Sequence, residues 1–164
     1  MGKKLVLGIF LMNLCFLLTG CTSHSNDLKV EEDEENKVYD IVNIDGITLE
    51  NKNVTKSGAT VIVTDLTGLN NGYTTWSIIE KFDNNDWKIV PRKPPEEGVV
   101  YTQTTPIYSV DENGILEFNY NWTSWYGDLE KGKYRIVIEV YLEYFNSSNS
   151  ENEAKYLATE FVID

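Results

Sequence analysis

A chain of 164 residues with 26 acidic and 14 basic side chains carries a formal charge of −12, and 41% of its residues are apolar. That size and content suit one domain with a sizeable core, while that charge would be repelled by phosphate backbones, so nucleic acid is excluded as an expected partner. The single histidine, His24, leaves no imidazole for a Ser-His-Asp or Cys-His site elsewhere in the chain and none for an imidazole-rich zinc centre.

Residues 1–20 read as an export signal. Lys3 and Lys4 precede an apolar run at residues 5–18, and Leu18-Thr19-Gly20-Cys21 closes it. A basic start, a short apolar stretch and small residues before a cut make a secretory signal. The run is 14 residues long, short of the roughly 20 that span a bilayer as a helix. Leu18-Thr19-Gly20-Cys21 resembles the lipobox of bacterial lipoproteins. That resemblance implies cleavage between Gly20 and Cys21, with the small Gly20 leaving the peptidase room. It also implies a diacylglycerol on the Cys21 thiol and further acylation of the new amine, palmitate being the type of chain expected. At about 0.8 kcal/mol per buried methylene, two or three chains would hold the protein on the extracytoplasmic face of the cell membrane. The alternative is a plain signal peptide with an incidental cysteine. Cys15 and Cys21 are the only cysteines. The first leaves with the signal and the second is consumed by lipid, so the folded domain is expected to have no disulfide.

Residues 21–37 change character. They contain no aromatic side chain, and Glu31, Glu32, Asp33, Glu34 and Glu35 follow one another directly. Such a run repels itself and anionic lipid, which describes an acidic flexible tether holding a domain away from the bilayer. Sixteen flexible residues reach about 20–25 Å on average.

Residues 38–164 are expected to fold as an all-β domain, with no convincing helical period anywhere in them. Residues 38–44 and 47–50 make a first strand broken near Asp45-Gly46. In the next strand Ala59, Val61 and Val63 share one face, opposite Thr60 and Thr64. A loop at residues 67–72 leads into a strand at 73–82 carrying Trp76 and Ile78. Asp83-Asn84-Asn85-Asp86 then turns the chain into Trp87-Lys88-Ile89-Val90. Asn and Asp tolerate left-handed backbone, so a hairpin fits this cluster better than a calcium loop, whose full ligand spacing is missing. Pro91, Pro94 and Pro95 break the sheet, and Pro106 confines a weak strand at 99–110 to an edge. After a turn at Asp111-Glu112-Asn113-Gly114, Leu116, Phe118, Tyr120 and Trp122 point inward from residues 115–122.

The strongest strand follows at residues 134–144. Tyr134, Ile136, Ile138, Val140, Leu142 and Tyr144 lie on one face, and Arg135, Val137, Glu139, Tyr141 and Glu143 on a partly wet one. Ahead of it stands Leu129-Glu130-Lys131-Gly132-Lys133-Tyr134. The Leu, Gly and Tyr at this spacing resemble the tyrosine corner of immunoglobulin-like sandwiches, in which the Tyr hydroxyl bonds back to the preceding connection. An ordinary hairpin turn is the alternative. A polar loop at 146–153 and a strand at 156–163, with Leu157, Phe161 and Ile163 on one face, close the domain.

About seven strands spaced this way fit an immunoglobulin-like β-sandwich. Ile79-Glu80-Lys81, Trp87 to Pro91, the W-x-x-x-Y-G-x-L-x-x-G-x-Y-R run from Trp122 to Arg135, and Glu160-Phe161-Val162-Ile163 together resemble a bacterial immunoglobulin-like domain family of secreted or membrane-attached proteins, chiefly from Gram-positive bacteria. One apparent extra residue before Glu80 leaves the register around Trp76 open. The family has no catalytic residues to carry over, so no enzyme activity, cofactor or metal is expected. The first reading is a membrane-anchored, non-enzymatic module acting in surface interaction or as an accessory to an envelope complex, with an envelope protein as partner. The other reading is a lipoprotein recognising carbohydrate or peptide through loop aromatics. Trp125 and Tyr126 are its candidates, clustered with Trp122 and Tyr141, and it requires them exposed together. Trp122 and a neighbour capping the core is the plainer reading of the same residues.

Overall fold

The computed structural model describes residues 37–94, 106–146 and 153–164. Eight strands stand among them: β1 (Ile47–Lys52), β2 (Gly58–Asp65), β3 (Gly72–Asp83), β4 (Asp86–Ile89), β5 (Ile107–Tyr108), β6 (Ile115–Asn121), β7 (Gly132–Tyr141) and β8 (Lys155–Ile163). A single helical turn, α1 (Thr123–Tyr126), lies where the sequence suggested no helix. One sheet has the order β1-β2-β6. The other has the order β4-β3-β7-β8, with β5 also paired to β3. Every pairing between these strands is antiparallel. Val61 and Val63 of the first sheet face Ile79, Ile136, Ile138 and Val140 of the second across a core that excludes water completely at these positions. This is the immunoglobulin-like sandwich, held by apolar packing without a disulfide among the described residues.

The break at Asp45-Gly46 is a change of sheet rather than a pause within one strand. Ile41 pairs in parallel with Tyr156 of β8, and the Val42 N–H donates to the Tyr156 carbonyl at 3.0 Å. After the turn, β1 pairs with β2 in the other layer. Before the turn, the chain passes over the outer face of the second sheet, where Tyr39 is 5% exposed and packs with Ile78 and Val137. The second face of β7 is therefore drier than alternation alone implies, because Val137 is buried beneath the N-terminal segment. Its neighbour Arg135 pairs with the buried carboxylate of Glu80 and stacks over Trp87, 4.6 Å from the ring centre.

Two strand boundaries differ from expectation. β7 ends at Tyr141 rather than Tyr144. Glu143 takes φ +52° and residues 142–146 turn, so Leu142 packs into the core from a turn and Tyr144 covers Gly72. In β3 the pairing with β7 shifts register between Tyr73 and Ser77. Four steps along β3 there match two along β7, so the strand bulges around Trp76. The hairpin at Asp83–Asp86 has Asn84 at φ +51° and Asn85 at φ +65°, the left-handed pair that a tight two-residue connection needs. The expected strand region before Pro106 and most of the polar loop before β8 fall on residues 95–105 and 147–152, outside the described residues.

Candidate functional site

Gly20 and Cys21, the cleavage and lipid-attachment positions, lie outside the described residues, as do His24 and the acidic run. The other candidates sit at the two ends of the sandwich. At one end, β2 begins, β6 ends and β7 begins. At the other, β2 ends, β3 and β6 begin and β7 ends.

At the first end the chain leaves β6, makes α1 and returns into β7. The Tyr134 hydroxyl donates to the Glu130 carbonyl at 3.0 Å, four residues back. Its ring is 2% exposed and stacks on Phe161 with centres 5.5 Å apart. Leu129 is buried, and its N–H donates to the Lys56 carbonyl at 2.9 Å, tying the connection to the start of the first sheet. Gly132 sits where a Cβ would lie 3.0 Å from the Lys81 side chain and 3.3 Å from the Tyr134 ring. A buried hydroxyl removed from such a bond leaves one carbonyl short of a donor. Tyr134→Phe is accordingly expected to lower stability by about 1 kcal/mol. A urea melt unchanged by the substitution would show that the ring packing alone holds this connection.

Two of the three loop aromatics are buried. Trp122 is fully buried, and Tyr126 is 9% exposed. Trp125 is half-buried, edge-on to Trp76 with centres 5.0 Å apart at 80°. The Arg92 guanidinium lies over Trp76 at 4.3 Å and over Trp125 at 5.8 Å. The Lys93 N–H donates to the Trp125 carbonyl at 2.6 Å, so the segment after β4 closes over these rings. Tyr141 is not in this group: it stands at the far end of β7 beside Tyr144, 5.7 Å between centres. Tyr126 is packed inside and Trp125 is partly covered by Arg92, so stacking on a sugar would require displacing Arg92 first.

The opposite end holds the arrangement that the sequence did not reveal. Asp65, 5% exposed, closes β2 and accepts four hydrogen bonds. Its Oδ1 takes the Thr67 N–H at 2.9 Å and the Thr67 hydroxyl at 2.6 Å. Its Oδ2 takes the Asn71 amide at 2.9 Å and the Tyr73 hydroxyl at 2.7 Å. Asn71, 2% exposed, accepts the Glu143 N–H at 2.8 Å on its own oxygen, which brings in the turn after β7. Burial by itself pushes the Asp65 carboxyl upward. The donors from Thr67, Tyr73 and Asn71 outweigh that push, and its pKa falls below the ordinary value. Burial, then the bond to Asp65 and its charge, drives the Tyr73 phenol far upward, so the phenol stays protonated as the donor. The neighbouring loop is fixed by Asp111, whose Oδ1 accepts the N–H groups of both Asn113 at 2.9 Å and Ile115 at 2.8 Å. Gly114 completes the junction. It holds φ +77°, its carbonyl accepts the Asp65 N–H at 2.8 Å, and a Cβ there would lie 2.4 Å from the Asp65 carbonyl oxygen.

Among the described residues no group of three or more His, Cys, Asp or Glu is placed to hold a metal ion, and no helix is long and apolar enough to cross a membrane. Two antiparallel layers with this strand order define an immunoglobulin-like β-sandwich protein. Residues 40–161 match the family described as the bacterial Ig-like domain, and the chain belongs to that family. No curated protein and no solved structure matches the chain.

Proposed function

We propose that this is an extracytoplasmic lipoprotein held on the cell membrane through Cys21, with its bacterial Ig-like domain acting as a non-enzymatic interaction module. The observation that carries the anchor is Leu18-Thr19-Gly20-Cys21, set directly after a basic-then-apolar leader and before an acid-rich stretch that leads into the domain. Two observations support the second half of the reading: the chain belongs to the bacterial Ig-like domain family, and the buried carboxylates of Asp65 and Glu80 are taken up by Tyr73 and Arg135 within the fold. Burial of Trp122 and Tyr126 beside the clamped Trp125 counts against recognition of carbohydrate through those rings.

The anchor is tested by growing expressing cells on labelled palmitate and fractionating them. Label is expected on the wild-type chain in the membrane fraction. Cys21→Ala should lose the label and leave the membrane, since no other cysteine remains beyond the leader. A Cys21→Ala chain that stays in the membrane fraction would overturn the anchor.

A further inference from the structure

Single exposed apolar residues are ordinary, but a contiguous group of them on a rigid surface marks a contact site. Among the described residues eight large apolar side chains are exposed, and five of them, Leu66, Leu69, Tyr108, Ile115 and Phe145, belong to the end of the sandwich that Asp65 organises, Leu66 and Leu69 lining one cleft there. Leu66 is 73% and Phe145 51% exposed. The loop after β2 and the loop before β6 face each other there across a cleft of about 410 Å³, and the Phe145 N–H bonds to the Asn70 carbonyl at 3.1 Å beside it. Asn70 and Asn146 are joined side chain to side chain at 2.6 Å. Three connections are thus locked together before any partner arrives, which spares the ordering cost that flexible loops incur on binding.

Charge narrows the partner. Asp111 and Glu112 stand exposed on the cleft, Asp65 lies beneath it, and no Lys or Arg is among the described residues that line it. The end is also placed for contact. The N-terminal segment enters the domain beside β4, where Lys37 shares a cleft with Asp86, Trp87 and Lys88, close to the hairpin at the opposite end. We propose that the loops carrying Leu66, Leu69 and Asp111–Glu112 dock an extended protein segment in which Lys or Arg side chains stand beside apolar ones. Leu66, Leu69 and Phe145 supply the apolar contact, and the carboxylates select the cations and exclude acidic sequences. This rests on the interaction-module reading of the domain and is independent of the lipid anchor.

The test is selection from a random dodecapeptide display library on the full chain in detergent, run in parallel on a Leu66→Ser/Leu69→Ser variant and on Glu112→Gln. Enriched peptides should combine Lys or Arg with apolar residues. Their recovery should fall at least tenfold on the double variant and severalfold on Glu112→Gln. Both variants should melt close to the wild type, because the substituted side chains are exposed. An enriched peptide added to the wild-type chain should slow amide exchange at residues 66–71 and 109–115, a readout that needs no variant to fold. No enrichment, enrichment of peptides without cations, equal recovery on the double variant, or protection elsewhere on the domain would each overturn the proposal. Loss of palmitate label with peptide selection intact would remove the anchor and leave the docking surface standing.

Discussion

Trp122→Ala is expected to lower the unfolding free energy by about 4 kcal/mol, in the range seen when a buried Trp or Phe is cut back to Ala. Trp122 is among the largest fully buried side chains of the domain. It stacks on Phe161 at 5.5 Å and meets Tyr120 edge-on at 5.7 Å, so removing it opens a void between the sheets that neither neighbour can fill without leaving its own contacts. Its Nε1 also donates to the Lys56 carbonyl at 2.7 Å. That same carbonyl accepts the Leu129 N–H, so it keeps one partner when the indole is lost. Trp122→Phe should accordingly cost much less than Trp122→Ala, about 1–2 kcal/mol, because most of the volume stays and the carbonyl is not orphaned. Urea denaturation separates the two. Against a total stability of about 5–15 kcal/mol, the alanine variant should unfold at a far lower midpoint while the phenylalanine variant shifts modestly. Equal costs for both would mean that the hydrogen bond, rather than the ring volume, carries the effect.

Alternation made β2, β6, β7 and β8 legible, because one face of each meets the core and the other does not. The left-handed pair at Asn84 and Asn85 was legible for a different reason, since few residues accept that backbone. The bond from Tyr134 to Glu130 follows a local spacing that can be read along the chain. What alternation cannot carry is any contact made by the second face of a strand. Val137 reads as part of a wet face until Tyr39, nearly a hundred positions earlier, is laid across it. The aromatic residues around Trp125 left two readings open for a related reason. A Trp in a polar loop reads equally as exposed or as packed, and only the return of Arg92 and Lys93 from the far side of the hairpin covers part of Trp125. The Asp65 site was hidden most thoroughly. Asp, Thr, Asn and Gly in succession signal a loop through composition alone, and the same residues that solvate a loop also build a buried network when a Tyr is supplied from the next strand. The signal available was the pair Asp65 and Thr67, two apart, which is the spacing of an Asx turn at a strand end.

That network sets the second large effect. Asp65→Ala should cost about 3–5 kcal/mol, because truncation leaves the Tyr73 hydroxyl and one Asn71 bond buried without their acceptor and frees the part-buried Thr67 N–H. The pH dependence should single this carboxylate out. The folded-state pKa of Asp65 is depressed, so the native chain binds its proton less readily than the unfolded chain does. The stability it contributes is therefore fully present above the unfolded carboxylate value of about 3.9, and it is lost as pH falls through the lower folded value. Asp111, held low first by the Ile115 N–H, loses its contribution over the same acid limb, but it lies at the surface, where solvent screens it. In the wild type the urea midpoint should fall steeply below about pH 4. In Asp65→Ala it should start lower at neutral pH and fall less steeply in acid, so the two curves converge. Parallel curves would place the acid-sensitive group elsewhere and leave Asp65 as one polar contact among many. Convergence would instead identify a single charge at the strand end that holds three loops in register, and with them the shape of the cleft they surround.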